Sequence, residues 1–150
     1  MLDVSGYGLR VLRRMVSVQE LNNMMKRYTE EMGSLVGKGD YDNAISLAMR
    51  TLEELLSVAR SDVVGVLGDA TVKMIADELL SNYEKTLSYA RGVYEGLKYM
   101  APIYQPGEKL QLLQVLSSAV SELFSFIIGA LLVVASLTGP STRTEQLGVV

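Results

Sequence analysis

The sequence predicts an all-α protein: an antiparallel four-helix bundle, preceded by a short N-terminal amphipathic helix or arm and completed by a long, very apolar C-terminal helix. Three observations support this prediction. Apolar residues recur three and four positions apart, alternately, in four segments, which is the pattern of helices that pack at shallow crossing angles. Residues that cap or break helices lie at the ends of those segments. No stretch alternates between apolar and polar residues for long, so no sheet is expected.

The first helix is predicted to begin after Ser17, because Ser17 and Glu20 have the spacing of a capping box. The Gly-Lys-Gly sequence at residues 37–39 ends this helix, and Asp40 is placed to cap the second. The apolar row of the first helix is Val18, Leu21, Met25, Tyr28, Met32 and Leu35. The row of the second is Tyr41, Ile45, Ala48, Leu52, Leu55 and Ala59.

The third helix has two candidate starts, at residues 61–62 and at residues 68–69, and the glycines near the second start predict a kink or a short extra turn between them. Pro102 is expected to end this helix, and residues 106–107 (Pro-Gly) to turn the chain. The apolar row of the third helix is Ala76, Leu80, Tyr83, Leu87, Ala90, Tyr94 and Leu97.

The fourth helix is predicted from about Glu108 to Thr138, because Gly139 and Pro140 form the usual helix stop. Its apolar row is Leu113, Leu116, Val120, Leu123, Ile127, Ala130, Val134 and Leu137. The expected organisation is therefore a basic amphipathic arm over residues 1–16, a helical bundle over residues 17–138 and a flexible tail over residues 139–150.

The stretch GKGDYDNAISLAMRTLEELL, residues 37–56, resembles the turn and helix of tetratricopeptide-type repeats and the early helices of HEPN-type bundles. Either resemblance implies a helical hairpin. A tetratricopeptide array needs a repeat of about 34 residues, and the sequence has no internal repeat. The ribonuclease activity of HEPN proteins depends on an Arg-x-x-x-x-His motif, which cannot occur in a chain without histidine.

Composition excludes several kinds of site. The chain has 150 residues, 21% charged and 49% hydrophobic, which suits one globular domain. It has no cysteine and no histidine, so disulfides, thiolate sites and the commonest general base and metal ligand are all absent. The paired carboxylates at residues 30–31, 53–54 and 77–78 lack the Glu-x-x-His partner of carboxylate-bridged metal bundles. We therefore expect no enzyme activity, no cofactor and no metal. The lack of cysteine and the low content of Asn and Gln are compatible with a thermostable protein.

The positive charge is concentrated near the N-terminus. Residues 1–28 carry five basic and two acidic side chains, giving +3, whereas the whole chain carries −3. Arg10, Arg13 and Arg14 share one side of a helix over residues 7–16, and apolar residues cover the other side. Such an arm can bind nucleic-acid phosphates or an anionic membrane, or dock on its own bundle with the arginines in water. The predicted anion contacts are Arg10, Arg13, Arg14, Lys26 and Arg27.

The fourth helix is apolar nearly all round in its second half, beyond its own row of core residues. A helix of this kind is covered on most of its surface. A stripe of small residues along it allows another helix to approach closely. We expect other subunits to cover this side, with lipid and burial within one chain as alternatives. The predicted subunit contacts are Ser121, Ser125, Ile128, Gly129, Leu132 and Val133. A plain membrane span is disfavoured, because no cluster of Lys or Arg flanks the apolar part.

These observations together predict a non-enzymatic, self-assembling structural protein, such as a coat or packaging subunit that contacts an anionic polymer through its N-terminal arm. One alternative is a membrane-associated helical protein with residues 108–138 in lipid. Another is a soluble helical-hairpin adaptor. The N-terminus does not have the pattern of a signal peptide, because arginines interrupt its apolar residues. The expected location is intracellular or within an assembled particle, with membrane association as the alternative.

Overall fold

The computed structural model describes residues 17–138, and side chains over residues 17–133. It contains four α-helices: α1 Val18–Gly37, α2 Tyr41–Val58, α3 Ala70–Leu97 and α4 Gln105–Thr138. No strand occurs in this part of the chain, so the prediction of an all-α fold with four helices is confirmed. The predicted arm, residues 1–16, and the predicted tail, residues 139–150, lie outside the described residues.

The predicted start of α1 and the break before α2 are confirmed. The Ser17 hydroxyl accepts a hydrogen bond from the Glu20 backbone N–H at 3.0 Å, and the Glu20 carboxylate accepts one from the Ser17 N–H at 3.1 Å. This reciprocal pair is the capping box that the sequence predicts. Gly39 follows α1 with a φ of +75°, a conformation that glycine adopts without steric cost. Asp40 then caps α2 by accepting from the Asn43 N–H.

Both predicted starts of the third helix lie in the segment between α2 and α3. Residues 59–63 continue α2 as a π-helical turn, and a 3₁₀ turn follows over residues 64–66. The helix itself begins after Asp69, whose carboxylate accepts from the Val72 N–H at 2.9 Å. The second predicted start is therefore the real one, and the expected extra turn is present in front of it.

Helix α4 begins three residues earlier than predicted, and the predicted turn at residues 106–107 is wrong. Pro106 and Gly107 form part of the first turn of α4. Proline is tolerated there because the first N–H groups of a helix have no intrahelical acceptor. The side chain of Gln105 also donates to the Met100 carbonyl at 2.8 Å, which holds the start of the helix against the preceding loop.

The core lies between α2 and α4, which pack together most extensively, and each of them also contacts α1 and α3. The largest fully buried side chains are Leu21, Ile45, Leu52, Leu55, Val63, Leu80, Leu116, Val120, Leu123 and Ile127. Within the described side chains, every member of the four predicted apolar rows is buried or half-buried. The side chains of Val134 and Leu137, the last two members of the α4 row, lie outside that range. The helical phase read from the sequence is therefore correct for all four helices.

Candidate assembly surface

Helix α4 has one side in the core and one side exposed. The core side is continuous and consists of Leu112, Leu113, Leu116, Ala119, Val120, Leu123, Ile127 and Leu131. The exposed side runs through Gln111, Gln114, Val115, Ser118, Ser121, Glu122, Ser125, Gly129, Leu132 and Val133. It is polar in its first half and loses all charge after Glu122. The second half of α4 therefore presents apolar and small residues to the outside of the bundle.

Five of the six predicted contact residues lie on this exposed side. Ser121, Ser125 and Gly129 are exposed, and Leu132 and Val133 keep 57% and 58% of their surface accessible. The sixth residue, Ile128, is half-buried and packs against the core of its own chain. Two large aliphatic side chains at this level of exposure are what an uncovered subunit contact requires.

Gly129 has no structural need to be glycine within this chain. A Cβ atom built at this position meets nothing within 4 Å, and the backbone there is ordinary α-helix. Glycine in a helix interior costs about 0.5–1 kcal/mol relative to alanine. Gly33 and Gly92, in the interiors of α1 and α3, are equally open, so this space shows that a second helix could approach Gly129 but does not single it out as a contact.

Two tyrosines attach α4 to its neighbours on either side. The Tyr28 and Ser117 hydroxyls are hydrogen-bonded at 3.1 Å, which joins α1 to α4. The Tyr83 hydroxyl donates to the Glu122 carboxylate at 3.2 Å, which joins α3 to α4. Burial raises the pKa of both phenols, and the negative charge of Glu122 contributes to the rise at Tyr83. These bonds link α4 to both neighbouring helices, in the rotation that its buried row already requires.

An ion-pair cluster joins the end of α2 to α3. The Arg60 guanidinium donates to Glu84 at 2.9 and 3.1 Å and to Asp77 at 3.0 Å. The hydrogen bonds from Arg60 lower the pKa of Glu84. Asp62, in the same π-helical turn, is 3% exposed, and its carboxylate accepts from the Ser61 hydroxyl at 3.0 Å. No sequence pattern predicts this cluster, because the partners of Arg60 lie 17 and 24 residues away from it along the chain.

Two of the five predicted anion contacts lie within the described residues and three do not. Arg10, Arg13 and Arg14 lie outside it. Lys26 and Arg27 lie on α1 and are exposed. Arg27 lines a groove between α1 and α2 that also contains Arg50 but is flanked by Glu31 and Glu54. The described part of α1 therefore contributes two exposed cations, Lys26 and Arg27, and carboxylates lie close to Arg27. These residues do not form a continuous basic surface.

The sequence interpretation missed a group of exposed apolar residues on α3. Val72, Met74 and Ile75 are 48%, 64% and 62% exposed. The available signal was the run ATVKMIADELL, in which Met74 and Ile75 fall outside the row that contains Ala76 and Leu80. Val72 lies four residues before Ala76 and continues that row beyond the buried core.

The described residues contain no group of three or more acidic residues placed to hold a metal ion. Residues 105–133 form a helix that is long and apolar enough to cross a membrane by length and composition, and 33% of its most apolar part is buried inside the chain. Core helices of soluble proteins meet the same criterion. Length and composition therefore do not distinguish whether protein or lipid covers the exposed side of α4.

Comparison with protein-family models, with curated proteins and with solved structures found no match to this chain.

Proposed function

We propose that this chain is a non-enzymatic, self-assembling helical-bundle protein in which the exposed side of α4 forms the subunit contact. The observation that supports this most is the uncharged, exposed second half of α4, with Leu132 and Val133 more than half accessible. Large contiguous apolar patches are uncommon on monomeric proteins and often mark interaction sites. A structural role as a coat or packaging subunit follows from self-assembly combined with a sequence that offers no histidine or cysteine for catalysis.

The proposed arrangement of the subunit is an antiparallel bundle. Between α2 and α3, Asp42 binds Tyr94, Glu53 binds Arg91 and Arg60 binds Glu84, so partner numbers fall as residue numbers rise. Between α3 and α4, Tyr83 meets Glu122, and Ala90 and Leu112 line one groove. Both series support opposite directions for consecutive helices, which the short connections between them also favour.

The ion-pair cluster argues against lipid as the cover of α4. Asp77 lies six residues from Tyr83, about 9 Å along α3. In the proposed antiparallel arrangement this places Asp77 and its partner Arg60, on the α2 side of α3, at the same level along the bundle as Ile128, in the middle of the apolar part of α4. A bilayer around that part would have to enclose these charged groups, which is costly. Protein on the exposed side of α4 requires no such burial.

The arm, residues 7–16, is proposed to hold an anionic polymer such as nucleic acid. The described residues 17–138 carry ten basic and fifteen acidic side chains, a net charge of −5. A bundle of that charge repels polyanions, so the contact would be confined to the arm and to the adjoining Lys26 and Arg27. Assembly would bring several arms together and raise the local density of positive charge.

Charge reversal of the exposed apolar residues tests the proposed function. Leu132→Glu and Val133→Glu should each convert the assembled protein to a monomer, because the partner surface would have to bury an unpaired carboxylate. Sedimentation velocity without detergent measures the change. Tyr99→Glu, at a loop position that is 91% exposed, is the matched control and should leave the assembly unchanged.

A wild-type protein that sediments as a monomer at all accessible concentrations would refute self-assembly and leave the adaptor alternative. A wild-type protein that is soluble only with detergent would favour the membrane alternative instead.

A further inference from the structure

The connection between α3 and α4 is a short loop without charge. Helix α3 ends at Leu97 and α4 begins at Gln105. From residue 99 to residue 107 the sequence reads YMAPIYQPG and contains no charged side chain. The loop and the first residues of α4 therefore form a continuous uncharged segment at one end of the bundle.

The large apolar side chains of this loop are turned toward solvent. Tyr99 and Ile103 are 91% and 81% exposed, more than any other large apolar side chain in the described part of the chain, and Tyr104 is 64% exposed. Ala101 and Pro102, between them, are exposed as well. Packing within the described residues therefore does not account for bulky apolar side chains at this position.

Hydrogen bonds hold the loop in a defined shape. The Tyr104 N–H donates to the Ala101 carbonyl at 3.0 Å, and the Gln105 N–H donates to the Pro102 carbonyl at 3.3 Å. The Gln105 side chain donates to the Met100 carbonyl at 2.8 Å. An ordered turn thus presents the exposed side chains, so little backbone entropy is lost when they enter a new environment.

This end of the bundle is close to neutral, although the bundle as a whole is acidic. Asp42, in the first turn of α2, contacts both Tyr94 of α3 and Lys109 of α4, so these helix ends lie together. Three basic and four acidic residues lie within four positions of the helix ends that meet here: Lys38, Asp40, Asp42, Glu95, Lys98, Glu108 and Lys109. The cap of α2 engages the carboxylate of Asp40, and lysines pair with those of Asp42 and Glu95. The loop can therefore approach a neutral surface without net repulsion.

We propose that this loop inserts into the headgroup region of a zwitterionic lipid bilayer and attaches the protein to its surface. Tyrosine suits this boundary because its ring is apolar and its hydroxyl stays hydrated. Ile103 adds the apolar surface that favours insertion. A specific protein contact takes about 20–30 residues from each side, far more than this loop offers, whereas a fluid bilayer requires no matching shape.

Attachment through the loop is separate from the proposed subunit contact. The uncharged half of α4 begins after Glu122, about 25 Å along the helix from Gln105. The arm, residues 7–16, is a different segment again and is proposed to bind anions. The loop contact therefore stands or falls independently of self-assembly.

A single tryptophan tests whether the loop enters lipid. The chain contains no tryptophan, so Ile103→Trp gives fluorescence from the loop alone. We expect its emission to shift to shorter wavelength when phosphatidylcholine vesicles are added, because the indole leaves water. Met74→Trp is the matched control. Met74 is 64% exposed but lies about 35 Å from the end of α3, so its emission should not change.

Vesicle co-sedimentation measures the strength of attachment. Ile103→Glu should lower the partition coefficient by at least about tenfold, because a carboxylate would have to enter the apolar boundary. Met74→Glu should bind vesicles like the wild type. Replacing Arg10, Arg13 and Arg14 by alanine should also leave binding to these neutral vesicles unchanged, since the loop and not the arm makes the contact.

Three results would overturn the loop contact. The first is a fluorescence shift at both tryptophan positions or at neither. The second is vesicle binding by Ile103→Glu equal to that of the wild type. The third is loss of self-association in Ile103→Glu with no vesicle binding by the wild type, which would assign the loop to a protein contact.

Discussion

Asp42 is an exposed carboxylate that joins three helices. It lies in the first turn of α2, accepts a hydrogen bond from the Tyr94 hydroxyl of α3 at 2.5 Å, and pairs with the Lys109 ammonium of α4 at 2.9 Å. The hydrogen bond from Tyr94 and the interaction with Lys109 lower the pKa of Asp42. Burial, together with the bond to Asp42, raises the pKa of Tyr94 to about 12. These side chains hold three helix ends together at one end of the bundle.

Asp42→Asn should therefore destabilise the protein at neutral pH and not in acid. The folded pKa of Asp42 lies below its unfolded value, so its stabilising effect is present above the unfolded pKa of about 3.9 and disappears as the pH falls through the folded pKa. Because the side chain is 58% exposed, the difference at pH 7 should be modest, about 0.2–1 kcal/mol. Urea unfolding at pH 7 and at pH 2.5 measures this difference in the free energy of unfolding.

Glu30→Gln, which alters an exposed carboxylate of α1, is the control. A difference that persists undiminished at pH 2.5 would show that Asp42 acts other than by its charge.

At the scale of elements, each helix begins where a local signal predicts it, except α4. The caps at Ser17, Asp40 and Asp69 bond to backbone groups three residues away, so the sequence contains the whole interaction. The start of α4 depends instead on Gln105, whose side chain reaches the Met100 carbonyl in the preceding loop. Pro106 is compatible with both a turn and the first turn of a helix. The sequence pattern predicts the turn, whereas the chain forms the helix.

Leu87→Ala tests whether the apolar row of α3 holds the fold. Leu87 is 5% exposed in the core, and truncating a buried leucine leaves a cavity that costs about 2–5 kcal/mol. Met74→Ala, at a position of α3 that is 64% exposed, should change the free energy of unfolding by less than about 0.5 kcal/mol. Chemical denaturation of both variants gives the comparison. Equal losses in the two variants would mean that the core of α3 lies elsewhere.

At the scale of the whole molecule, charge and apolar surface are segregated. The predicted arm is basic, whereas residues 17–138 carry a net charge of −5. In the antiparallel arrangement that we propose, α1 begins toward the end of the bundle at which α4 ends, because Tyr28 of α1 meets Ser117 of α4. Residue 17 and the exposed second half of α4 would then lie toward the same end of the bundle, so assembly through α4 would place arms near each other.

Replacing Arg10, Arg13 and Arg14 together by alanine tests the arm. If the arm binds duplex DNA, the slope of log affinity against log salt concentration should flatten by up to about three units, since each neutralised phosphate contributes about 0.9. The matched control replaces Lys73 and Lys85 of α3 together with Lys98, which directly follows it; this removes the same charge from exposed positions and should leave the slope unchanged. Filter binding over a salt series measures the slope.

Loss of binding to anionic vesicles, with no DNA binding in the wild type, would assign the arm to lipid. Absence of both activities would refute the arm as a ligand-binding segment.

From the sequence alone follow the all-α class, four helices, the starts of α1 and α2, two candidate starts for α3, and the inward side of each helix. These follow because caps act over three residues and because the helical repeat places residues three and four apart on one side. The sequence also predicted the exposed residues of α4, since an apolar surplus beyond one row is visible in the chain.

Contacts between residues of different helices are visible only in the folded structure. The Arg60–Glu84 pair, the Tyr28–Ser117 bond and the Tyr83–Glu122 bond join residues separated by 24, 89 and 39 positions. No local pattern specifies such pairs, because the rotation and level at which one helix packs on another follow from the fit of whole side-chain surfaces.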